Sequence, residues 1–188
     1  MNQKKDFLSL LDFSVEELHK IVLRAQEMKN HKTTYQPLIG RTAALLLLLN
    51  STRTRVGFEA GMAQLGGHTI VLNPEHTQLG RGESIEDMAR VLSEMVDIII
   101  IRTINHEEIE EFAEHSAIPV VNAMSSKLHP CQLLADMQTF AELRGPIEGK
   151  KVAFVGDGYN MCNSYINAAQ QWNFNLQIAS PVGYEPRP

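Results

Sequence analysis

Cysteine is scarce in this chain: Cys131 and Cys162 are the only two in 188 residues, and they stand apart with no CxxC pair. That spacing excludes a disulfide framework and a cysteine-based zinc site, and predicts reduced thiols. Basic residues form no run, and 17 Lys and Arg against 22 Asp and Glu leave a net charge of -5. Duplex nucleic acid, which needs a basic footprint, is therefore not an expected partner. The longest apolar run, Ala43 to Leu49, falls far short of the roughly 20 residues that cross a bilayer as a helix, so no membrane partner is expected. The opening MNQKKDFLSLLDFS meets Asp6 before any long apolar stretch and shows no small-residue cleavage site, so it does not read as a signal peptide. A cytoplasmic location is expected. Glycine and proline are modest at 12 and 8, which excludes collagenous and low-complexity chains. No internal repeat and no Ser- or Gly-rich linker divides the sequence.

What is present is a globular composition, 44% apolar, long enough at about 150 residues per domain for one domain and a fraction. Ser14 with Glu17 has the form of a capping box before apolar residues at helical spacing, which predicts a helix to about Asn30. Thr42 to Leu49 is apolar on both parities, as expected of a central strand covered on both faces. A helix over Arg55 to Leu65, a strand over Thr69 to Leu72 and a long polar loop with Pro74, Gly80 and Gly82 follow. Ser84 with Asp87 predicts a helix to about Met95. Asp97 to Ile101 reads as a strand, Asn105 with Glu108 as the cap of a helix to about His115, and Ile118 to Val121 as a fourth strand.

Strand and helix in alternation imply an α/β fold, a parallel sheet with right-handed crossovers and helices on both faces. A helix over Pro130 to Leu143 ends at Arg144-Gly145-Pro146. The pattern then restarts with a strand over Lys151 to Val155, a helix near Met161 to Trp172 and a strand over Leu176 to Ala179. The expected division is a first domain over 1–145 and the beginning of a second, Rossmann-like α/β domain over 146–188.

Three places carry candidate chemistry. Asn50-Ser51-Thr52-Arg53-Thr54-Arg55 lies where the central strand ends and a helix begins, a position that offers unpaired N–H groups and a positive dipole. Hydroxyls and guanidiniums at that position describe an anion site, most simply for a phosphorylated compound. Arg102 ends another strand, and His129-Pro130-Cys131-Gln132 opens a helix after the fourth. Arg53, Arg102 and His129 are better explained as converging on one pocket than as three separate accidents.

Gly156-Asp157-Gly158 invites a dinucleotide reading, but position 161 is Met and Ala179-Ser180 supplies no acidic residue, so a nicotinamide cofactor is rejected. The glutamates from Glu107 to Glu114 read as a solvated helix surface. The histidines show no HxxxH or HExxH spacing, so no metal is indicated.

Together, Ser51 to Arg55 as STRTR and His129 to Gln132 as HPxQ resemble the aspartate/ornithine carbamoyltransferase family. The segment from Gly156 to Ser164 and the loop from Gln78 to Ser84 are similar to its ornithine branch. The resemblance implies that Ser51, Thr52, Arg53, Thr54 and Arg102 hold the phosphate of carbamoyl phosphate. It implies that His129 and Gln132, within the Pro130 and Cys131 turn, hold the carbamoyl group with Arg53, and that Arg53 and His129 serve catalysis.

Gln78 would reach a neighbouring subunit's site in a homotrimer or higher homo-oligomer, and Asn160 would bind the ornithine backbone. The implied activity is transfer of the carbamoyl group to the δ-amine of L-ornithine, giving citrulline and phosphate in arginine biosynthesis, with no metal or organic cofactor.

The family's later Asp-x-x-x-Ser-Met-Gly and His-Cys-Leu-Pro segments do not occur here, so the chain resembles a C-terminally truncated member. Residues from about 146 onward are expected to be less protected from exchange than those before. Two other readings stand beside the first: a binding module that holds carbamoyl phosphate or phosphate without turnover, and a carbamoyltransferase with another acceptor.

Overall fold

The structure is a computed structural model that describes residues 4–30, 35–73, 75, 77–78 and 82–186. The Pro74 and Gly80 punctuation of the polar loop, and Leu79 to Arg81 of the segment likened to the ornithine branch, lie outside the described residues.

The elements run α1 (Val15–Asn30), β1 (Thr42–Leu47), α2 (Thr52–Gln64), β2 (His68–Leu72), α3 (Ile85–Ser93) and β3 (Ile98–Arg102). They continue with α4 (His106–His115), β4 (Val120–Met124), α5 (Pro130–Arg144), β5 (Lys151–Val155), α6 (Asn160–Trp172) and β6 (Asn175–Ala179). Two compact units emerge: Met1–Leu8 with Thr34–Ser125, and Ser9–Thr33 with Ser126–Pro188. Contacts thus divide the chain elsewhere than at the 145/146 boundary expected from element order. The reason is helix packing: α5 lies against α1 and α6, which draws all three into the second unit.

In the first unit four parallel strands stand in the order β2-β1-β3-β4. Side chains alternate across a strand, so a segment apolar on both parities needs cover on both faces. β1 receives it: Ala43, Leu45 and Leu47 pack with Met62 of α2, while Ala44 and Leu46 pack with Met88 of α3 and Phe112 of α4. The chain goes to β2 on one side of β1 and returns to β3 on the other. Right-handed crossovers therefore put α2 on the face opposite α3 and α4. The carboxyl ends of β1 and β3 flank the point where strand order reverses, the usual ligand position in such sheets.

Two expectations are corrected here. β4 runs Val120–Met124 rather than Ile118 to Val121. Pro119 has no N–H, and Ile118 spends its groups on Ser116, whose Oγ accepts from Ile118 N at 3.2 Å and donates to Ile118 O at 2.7 Å. The pairing then continues through buried Asn122, whose Nδ2 donates to Leu8 O at 3.0 Å. Asn105 precedes α4 but its side chain caps nothing; Glu108 instead accepts from Thr103 Oγ1 at 2.6 Å. One pairing has no counterpart in the periodicity: Phe7 bridges to Val121 and covers the open edge of β4.

The second unit has a two-stranded parallel sheet, β5-β6. The capping box of α1 forms, with Ser14 N donating to Glu17 Oε2 at 2.8 Å and Glu17 N to Ser14 Oγ at 3.2 Å. A short 3-10 turn at Leu10–Asp12, not foreseen from the sequence, is held to α6 by Gln171 Nε2, which donates to Leu10 O and Phe13 O. Gly158 is required by close approach, because a Cβ there would meet Pro186 N at 2.0 Å.

Candidate functional site

In the first unit, α2 begins at Thr52, earlier than the Arg55 expected. Ser51 takes extended backbone angles and its Oγ accepts from Thr54 N at 3.2 Å, which caps the helix. The same Ser51 hydroxyl donates to Thr54 Oγ1 at 2.8 Å, and Arg102 Nη1 donates to that oxygen at 3.3 Å. Thr54 Oγ1 therefore accepts twice, which leaves its own proton to donate outward. Arg55 N bonds Ser51 O, so the N–H groups of Thr52 and Arg53 remain at the open helix end.

Arg55 is paired with Glu59 at 3.0 Å, but two other cations at this end are uncompensated. Among the described residues, neither Arg53 nor Arg102 forms an ion pair with a carboxylate. Arg53 is exposed, whereas Arg102 is partly buried and its Nε has no hydrogen-bond partner. That burial lowers the Arg102 pKa, yet a guanidinium stays charged. A partly desolvated cation beside a hydroxyl with its proton to spare and free helix N–H groups is an arrangement that suits an anion such as phosphate. Gln78, in the loop after β2, is exposed, and its carbonyl accepts from Glu83 N at 3.3 Å.

The second unit holds the other sequence candidates. His129 is the residue before α5, and Pro130, whose missing N–H costs nothing at that position, is buried as its first residue. His129 N donates to Ser164 Oγ at 2.7 Å, and Ser164 Oγ donates to Asn160 O at 2.7 Å. Asn163 Nδ2 donates to Lys127 O at 3.1 Å. Asn160 itself is buried.

Gln132 is exposed, and its Nε2 donates to Asp136 Oδ1 at 2.9 Å, while Tyr165 OH donates to Asp136 Oδ2 at 3.0 Å. A carboxylate only accepts, so the Gln132 amide nitrogen faces Asp136 and its carbonyl oxygen is turned away as an acceptor. Burial pushes the Cys131 thiol up to about 12, which removes it as a nucleophile. Burial, then the charge of Asp136, pushes the Tyr165 phenol up to about 12.

The structure thus joins Ser51, Thr54 and Arg102 in one unit, and His129, Ser164 and Asn160 in the other. Ser164, Asp136 and Tyr165 had no expected role. The only signal for Ser164 was its place within the Gly156 to Ser164 segment, and nothing marked Asp136 or Tyr165.

Residues 5–142 match the family model of the aspartate/ornithine carbamoyltransferase carbamoyl-P binding domain. An ornithine carbamoyltransferase of Psychrobacter sp. is 54% identical over 187 residues, covering 98% of this chain and 61% of that protein. The anabolic ornithine carbamoyltransferase of Pseudomonas aeruginosa is 55% identical over 186 residues, with 97% and 61% covered.

Among solved structures, the ornithine carbamoyltransferase of Burkholderia thailandensis superposes with a TM-score of 0.91 at 47% identity, covering 96% of this chain and 63% of that one. The catalytic subunit of the M. jannaschii aspartate transcarbamoylase gives 0.85 at 32% identity, covering 97% and 62%. The chain spans about three-fifths of the length of the curated relatives it matches. The family match over most of the chain, on a parallel sheet shared with the solved relatives, establishes that this chain belongs to the aspartate/ornithine carbamoyltransferase family.

Proposed function

We propose that this chain carries the carbamoyl phosphate machinery of an ornithine carbamoyltransferase, with residues 1–145 as that functional domain and 146–188 as the start of the ornithine domain. The observation that carries the reading is the partly buried, carboxylate-free Arg102 donating to Thr54 at the open end of α2. Ser51, Thr52, Arg53, Thr54 and Arg102 hold the phosphate, and Gln78 serves the site of a neighbouring subunit. His129 and Gln132 hold the carbamoyl group, with Pro130 and Cys131 shaping the turn between them. The outward carbonyl of Gln132 is a suitable acceptor for the carbamoyl NH2.

In the reaction, the lone pair of the neutral δ-amine of ornithine, whose backbone Asn160 binds, forms a bond to the carbamoyl carbon. Charge gathers on the carbamoyl oxygen, where Arg53 and His129 donate hydrogen bonds. The C–O bond to phosphate then breaks, the amine gives up a proton, and citrulline and inorganic phosphate result. Held reactants and fixed donors suffice without a covalent intermediate. The 32% identical aspartate transcarbamoylase subunit makes aspartate the acceptor to test beside ornithine.

A homotrimer or higher homo-oligomer fits the exposed Val56 on α2, and a cytoplasmic location fits two free thiols. Among the described residues no helix is long and apolar enough to cross a membrane.

The test is citrulline formation from carbamoyl phosphate and ornithine by the 188-residue chain, with aspartate as control and calorimetric titration of carbamoyl phosphate in parallel. Binding with citrulline formation supports the whole reading. Binding without product from either acceptor reduces it to a carbamoyl phosphate-binding module, and absence of binding overturns it.

A further inference from the structure

Ser164 is 1% exposed, lies on α6, and meets the residue that opens α5. Its surroundings determine the direction of both its hydrogen bonds. A backbone N–H only donates and a carbonyl only accepts, so the hydroxyl accepts from His129 N and donates to Asn160 O, each at 2.7 Å. A serine that merely bonds back within its own helix needs only the second of these. The first reaches 35 positions along the chain to the backbone of one residue, and that residue is the histidine of the HPxQ turn. The neighbouring Asn163 grips the same turn two residues earlier, at Lys127 O.

We propose that Ser164 is a positioning residue that fixes the His129 imidazole for the carbamoyl group by holding the His129 backbone against α6. This rests on the reading of His129 as a carbamoyl-binding residue. The imidazole is attached through a single Cβ, so a displacement of the His129 backbone is carried directly to the ring. Removing the hydroxyl strands the part-buried His129 N–H, and the chain relieves this by moving the turn toward water or another acceptor. Small displacements of a positioned donor are costly, since hydrogen bonds weaken steeply with distance and angle. The phosphate-holding residues Ser51, Thr54 and Arg102 belong to the other unit and are held by hydrogen bonds among themselves, so phosphate binding is expected to be unchanged.

The experiment titrates the full 188-residue chain with carbamoyl phosphate and, separately, with inorganic phosphate, in the wild type, Ser164→Ala, His129→Ala and the double variant. The expected result is a wild type that prefers carbamoyl phosphate. Ser164→Ala then weakens carbamoyl phosphate about tenfold with phosphate unchanged, and adds nothing further in the His129→Ala background. Where the alanine variant does not fold, Ser164→Cys, near in shape and a poor hydrogen-bonder, carries the same expectation with a smaller loss.

A full preference retained by Ser164→Ala, or by Ser164→Cys where the alanine variant does not fold, overturns the proposal. Equal loss of both ligands also overturns it, since that marks a residue needed only for folding. A wild type with no preference between the ligands overturns the functional reading of His129, and this inference with it.

Discussion

The two sheets of this protein obey one rule with different outcomes. β1 and β3 at the centre of the first sheet are buried through nearly their whole length, with α2 on one face and α3 and α4 on the other. β5 alternates between exposed and half-buried positions, β6 is exposed everywhere but at Leu176, and Val155 is 80% exposed. The second unit also leaves open an apolar groove of about 430 Å³ along its helices, lined in part by Val22 of α1, Met137 and Phe140 of α5 and Trp172 of α6. A parallel sheet is stable when both faces are covered. Four strands with three crossover helices satisfy that condition, and two strands with one crossover helix cover a single face. Burial, rather than strand propensity, is what separates the two regions.

The comparison is broken most directly by deleting core volume. Phe112→Ala, at a fully buried side chain between α4 and the first sheet, is expected to cost about 4 kcal/mol, against less than about 0.5 kcal/mol for Val155→Ala, both read from urea unfolding. Similar losses at the two positions would show that burial does not distinguish the sheets.

Hydrogen exchange sharpens the same contrast: amides of β1 and β3 are expected to exchange at least about 100-fold more slowly than those of β5 and β6. Uniform protection would count against it. Arg102→Ala removes the desolvated cation of the first unit and is expected to weaken inorganic phosphate binding by about 2 kcal/mol, measured by calorimetry. Gln132→Ala in the second unit leaves phosphate binding unchanged.

The next effect is alkaline and belongs to the second unit. Cys131 is held at about 12 in the fold and returns toward its ordinary value of 9.0 when the chain unfolds. A raised folded pKa leaves stability intact below about pH 9 and erodes it as pH climbs toward about 12. Tyr165, raised from 10.0 to about 12, acts in the same direction at slightly higher pH. The thermal midpoint followed by Trp172 fluorescence is expected to fall between pH 9 and 11, and Cys131→Ala to flatten that fall. The smallest effect is the exposed Arg24–Glu27 pair at 2.9 Å, where Arg24→Ala is expected to change stability by less than about 0.5 kcal/mol.

Much of this was legible in the sequence for local reasons. The double-parity apolar run of β1, the Ser14–Glu17 box and the Ser84–Asp87 cap act over a few residues, and each forms, with β1 ending at Leu47 rather than at Leu49. The misplacements have local causes too, in which a side chain chose a different partner. Thr103 took Glu108 away from Asn105, and Ser116 with Pro119 delayed β4. The candidate anion site was legible as STRTR, but Ser51 also caps α2, which moved the helix start to Thr52. Asp136 gave no sign and Ser164 only its place in the Gly156 to Ser164 segment, because a serine and an aspartate within helices are ordinary until a distant partner arrives.

The amino-acid order by itself determined the alternation of strands and helices, the residue types at each strand end, and the family that STRTR with HPxQ identifies. Those properties depend on period, capping and spacing, all encoded within a turn or two of chain. Only the tertiary structure decided the strand order β2-β1-β3-β4, the meeting of Arg102 with Thr54 across 48 positions, and that of His129 with Ser164 across 35. Crossover handedness and burial on both faces choose among such long-range pairings, and neither is a property of any short stretch of sequence.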